Sequence, residues 1–103
     1  MSNVTEFNEL QSFYFEMQRQ LVNKNKEFEE AISAIQKMES SAEEFSQFYK
    51  EGHITEIEYA KVRKKIKGVC TYYDGRLEKL NKLIPDIEDY INEYEKEYGI
   101  SKI

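Results

Sequence analysis

Glu51-Gly52-His53-Ile54-Thr55-Glu56-Ile57-Glu58-Tyr59 is the stretch that decides the fold. Gly52 ends the preceding helix, because glycine takes a positive φ without steric penalty and so closes a helix in the left-handed conformation. Thr55 opens the next one. Its hydroxyl can accept from the Glu58 amide while the Glu58 carboxylate reaches back to the Thr55 amide, a capping box. Ile54 and Tyr59 stand at the two positions of a hydrophobic staple. The spacing predicts a tight helix-to-helix turn over residues 51–54.

The period on each side of that turn identifies the elements it joins. Steps of three and four from Phe7 meet Leu10, Tyr14, Met17, Leu21, Lys24, Phe28, Ala31, Ile35, Met38, Ala42, Phe45 and Tyr49, so twelve of thirteen positions are apolar or aromatic. A chain that is 40% hydrophobic would place about five there by chance, so the repeat is that of one long heptad helix. The loop-like Asn23–Lys26 does not reset the register and reads as a polar layer. Beyond the turn the stepping gives Tyr59, Val62, Ile66, Val69, Tyr73, Arg76, Leu80, Leu83, Ile87, Tyr90 and Tyr94, with only Arg76 polar. Gly68, Gly75 and Pro85 fall on outer positions. Pro85 predicts a kink near Asn81–Pro85, and Asp74-Gly75 leaves a three-helix alternative open. Gly99 is the natural end, with a frayed tail over Ile100–Ile103.

Folding the chain at residue 52 sets Phe45 against Tyr59, Ile35 against Val69, Tyr14 against Tyr90 and Leu10 against Tyr94. Every seam position from Leu10 to Phe45 meets a seam position, and the polar Lys24 and Arg76 occupy adjacent layers. The expected fold class is therefore all-α: a long, coiled-coil-like antiparallel helical hairpin. It forms a single domain over 1–103, with helix 1 over about 4–50 and helix 2 over about 55–98.

A second apolar row is left over. On helix 2 it consists of Cys70, Leu77, Ile84, Ile91 and Tyr98, and helix 1 adds Phe15, Val22 and Ile32 on the same side. Burying such side chains stabilises by about 1.5–3 kcal/mol each, and leaving them all wet would exceed the patch that monomers ordinarily expose. The row reads as an interaction surface. A second copy would complete a four-helix bundle, or one different protein would dock there.

Composition removes other classes. The 103 residues carry a net charge of −5, which disfavours nucleic acid. No run approaches the roughly 18 apolar residues of a membrane span, and the acidic N-terminus lacks the pattern of a signal peptide. One cysteine excludes an internal disulfide framework, and the expected location is cytoplasmic. Lys61, Arg63, Lys64, Lys65 and Lys67 spread around their helix as a solvated segment. His53 reads as a turn residue, Cys70 as a small hydrophobe, and the many carboxylates as solubilising. There is no phosphate loop, metal spacing or nucleophile elbow, so neither catalytic residues, metal nor cofactor are expected, and an enzyme is disfavoured.

The stretch Phe45–Ile66, with Gly52-His53-Ile54-Thr55 followed by Glu58-Tyr59, is similar to the short SHOCT helical module. In length and central turn the whole chain looks like the WXG100 helical hairpins. It has Glu51-Gly52 in place of Trp-x-Gly, and no C-terminal Tyr-x-x-x-Asp/Glu. The second resemblance implies a secreted or structural hairpin within a larger assembly. The residues themselves favour a non-enzymatic interaction protein: a small adaptor, chaperone or inhibitor.

Overall fold

A computed structural model describes residues 2–99, with side chains from residue 6 onward. Its described residues form two helices, α1 (Ser2–Lys50) and α2 (Glu56–Glu97), and no strand. The chain is an all-α helical hairpin. α1 passes through Asn23–Lys26 without a break, and α2 passes through Gly68, Gly75 and Pro85. That removes the three-helix alternative, because a glycine inside a helix costs only about 1 kcal/mol and the flanking residues outweigh it. Gly99 closes α2 at φ 69°. The frayed tail expected over Ile100–Ile103 lies outside the described residues.

The connection is built as its residues require. Gly52 adopts φ 80°, its amide donates to the Tyr49 carbonyl at 3.1 Å, and the His53 amide donates to the Phe48 carbonyl at 2.9 Å. These two bonds are a Schellman motif, which satisfies carbonyls that a helix end otherwise leaves bare. The His53 and Phe48 rings meet edge to face at 6.1 Å, the apolar contact that accompanies the motif. On the far side the capping box forms as expected: the Glu58 amide donates to Thr55 Oγ1 at 3.1 Å, and the Thr55 amide donates to Glu58 Oε1 at 3.2 Å.

The chain divides into two compact units, Phe28–Lys79 around the connection (the turn unit) and Met1–Glu27 with Leu80–Ile103 (the terminal unit). In the turn unit only Ala31 is fully enclosed, at 1% exposure. Along the rest of that unit Phe28, Ile35, Met38, Phe45, Val62, Ile66 and Tyr73 are half-buried. Tyr49 and Tyr59 stack at 4.7 Å near the connection, and the Arg63 guanidinium lies 5.7 Å over the Tyr59 ring.

The terminal unit encloses more of its side chains. Tyr14, Ile87, Ile91 and Tyr94 form its core, with Met17 and Leu21 packed against them. Tyr14 and Tyr94 stack at 4.2 Å, Tyr94 continues to Tyr98 at 4.5 Å, and Phe7 meets Tyr98 at 5.5 Å. Phe13 meets Tyr90 edge to face at 4.9 Å.

Those ring pairs fall on both sides of the expected register. Seam pairing about residue 52 sets Tyr14 against Tyr90 and Tyr59 against Phe45; Phe13 on Tyr90 and Phe7 on Tyr98 lie within one residue of that pairing, whereas Tyr14 stacks on Tyr94 and Tyr59 on Tyr49, one helical turn further in each case.

Candidate interaction surface

The eight residues expected to form an interaction stripe are placed unequally. Val22 and Phe15 are the most open, at 68% and 56% exposure, and Ile32 and Tyr98 are exposed at the margin. Cys70, Leu77 and Ile84 are half-buried. Ile91 is buried at 6% exposure inside the terminal core, so it is part of the interior and no docking surface.

The cause is a rotation of α2 about its own axis. In the terminal unit the inward residues are Leu80, Ile84, Ile87, Ile91 and Tyr94, spaced four, three, four and three. This is also a heptad line, but it interleaves the expected seam with the expected leftover row. Leu83, placed on the seam by its sequence position, is 41% exposed instead. Tyr14 on α1 already fills the interior with one large ring and stacks on Tyr94. The compact β-branched Ile91 fits beside that pair, while Tyr90 stays half-buried with its ring edge to face on Phe13.

The remaining open apolar face is mostly on α1: Phe15 and Val22 are seven residues apart, hence on one side of the helix. Sequence spacing does not mark the polar groups beside the core. Glu95 is 9% exposed, and no periodicity singles it out, because it sits beside Tyr94 on the flank of the inward line. The Tyr14 hydroxyl accepts a hydrogen bond from Gln18 Nε2 at 2.9 Å. Burial raises the pKa of the Tyr14 phenol above its usual value, and the Glu95 and Tyr94 charges add to the rise. Burial likewise raises that of Tyr90, whose hydroxyl oxygen is enclosed without a hydrogen-bond partner.

The turn unit carries the opposite character. Arg63, Lys64 and Lys67 line a shallow concavity together with Ala42, Ala60 and Ile66. All five cations of 61–67 are exposed. His53 Nε2 lies 3.3 Å from Glu51 Oε2 in the turn, and Cys70 is a free thiol. Among the described residues no group of three or more His, Cys, Asp or Glu side chains is placed to hold a metal ion. Nor is any described helix long and apolar enough to cross a membrane. A scan against protein-family models finds no match, and neither do searches of the curated proteins and of the solved structures.

Proposed function

We propose that the protein is a non-enzymatic interaction module, a small cytoplasmic adaptor, chaperone or inhibitor, and that it works as a homodimer in which two hairpins close into a four-helix bundle. The observation that carries this reading is exposed apolar surface. Phe15 and Val22 stand 56% and 68% exposed, seven residues apart on one side of α1, and covering each stabilises by about 1.5–3 kcal/mol. Ile57 and Tyr72 on α2 are open as well, at 71% and 60%.

The test is solution mass by light scattering on the full chain at two concentrations. A mass near twice 12.3 kDa is expected, and Phe15→Asp with Val22→Asp should return the chain to monomer with helicity retained by circular dichroism. A monomer at both concentrations overturns the homodimer. A mass of many copies instead favours a structural hairpin of a larger assembly.

A further inference from the structure

We infer that the second copy docks by charge, the terminal unit of one chain seating on the cationic concavity of the other chain's turn unit. This rests on the homodimer reading and adds its geometry. Residues 61–67 hold five Lys or Arg and no acid, and residues 86–97 hold six Asp or Glu against one Lys. Apart from Glu95, these acids are exposed, as are all five cations. The concavity lined by Arg63, Lys64 and Lys67 has two alanines in its lining, and small side chains there leave room for a bulky one. The terminal unit offers such a group in Phe15, which stands 56% exposed against Tyr14 at 5.6 Å.

A second copy fits this concavity better than another occupant does, because the chain supplies the complement at equal stoichiometry. Each copy owns one basic and one acidic segment, so two copies carry the complement of each segment in equal number. An alignment of like segments would oppose Arg63, Lys64 and Lys67 to the same cations of the other copy, and repulsion selects against it. Polyanions such as nucleic acid meet the same cations but also the net charge of −5. Exposed charges act within about one Debye length, roughly 8 Å at physiological salt, so this association should weaken as salt rises.

The experiment is a charge exchange read by native mass spectrometry and sedimentation. Variant one carries Arg63→Glu, Lys64→Glu and Lys67→Glu; variant two carries Glu88→Lys, Asp89→Lys and Glu93→Lys. All six positions are exposed, and circular dichroism checks that each variant keeps its helicity. Each variant alone should self-associate at least about tenfold more weakly than the unaltered chain, and an equimolar mixture should form a one-to-one heterodimer. Variants that dimerise as tightly as the unaltered chain overturn the charge-directed docking and leave the homodimer standing on apolar contact alone. A mixture that stays monomeric with both variants helical overturns it too. An unaltered chain that is itself monomeric overturns both readings.

Discussion

The two units solve one problem, holding two helices together, by different means. In the turn unit the partners are close in sequence. Tyr49 and Tyr59 stack across a connection of a few residues, backbone bonds close the turn, and the packing behind it encloses only Ala31. In the terminal unit Tyr14 stacks on Tyr94 across most of the chain, and a core of two tyrosines and two isoleucines backs it. Loop closure explains the difference. Joining residues about eight times further apart costs about 2 kcal/mol more entropy, and the terminal unit offsets that with buried aromatic area that the turn unit does without. Where the chain itself brings helices together, caps suffice; where it does not, side chains must.

The largest effect that would sharpen this contrast is expected from Ile91→Ala. Ile91 is a buried core residue, and its truncation should cost about 2–5 kcal/mol. Hydrogen exchange should show the loss in amides of the terminal unit, with those of residues 28–79 holding their protection. Equal loss in both units would break the comparison and make them one cooperative block.

Next in size is the connection. Gly52→Ala forces a β-carbon into φ 80° and should cost about 1–2 kcal/mol. Thr55→Ala removes the cap that accepts from the Glu58 amide, at about 1 kcal/mol. Urea unfolding measures the sum, and exchange should now place the weakening in the turn unit. A Thr55→Ala chain as stable as the parent would show that side-chain packing, rather than capping, holds that unit.

Tyr90→Phe has the opposite sign. The enclosed Tyr90 hydroxyl has no partner, so deleting it should stabilise the terminal unit by roughly 1 kcal/mol. A drop in melting temperature would mean that the hydroxyl makes an interaction the fold depends on.

The smallest effect is alkaline. Burial raises the Tyr14 and Tyr90 pKa values, so the folded chain holds these phenolic protons more tightly than the unfolded one. Their contribution is complete below the unfolded value of about 10 and is lost as pH rises through the higher folded values. Thermal melts tracked by circular dichroism should show stability falling above that pH, less steeply in Tyr14→Phe. An unchanged slope in that variant would assign the loss to other groups.

Much of this architecture is legible in one dimension. Gly52, Thr55 and Glu58 act on neighbours within three or four residues, so the connection is dictated by local stereochemistry. The unbroken three-four stepping from Phe7 to Tyr49 and from Tyr59 to Tyr94 likewise requires two long helices and makes Gly68, Gly75 and Pro85 tolerable. The interaction surface is less legible. Phe15 and Val22 are exposed, whereas Ile91 lies in the core and Leu83 stands outside it.

Sequence by itself thus determined the helices, their caps and the turn between them, because those depend on backbone geometry and contacts within a turn or two. Only the tertiary structure decided how far α2 rotates about its own axis, and with it the ring pairs and the burial of Glu95. A heptad count places Leu83 on the inward line and Ile91 beside it, whereas the structure buries Ile91 and leaves Leu83 exposed. The choice fell to shape, since the interior is closed by the Tyr14 ring stacked on Tyr94 and the compact Ile91 fits beside that pair.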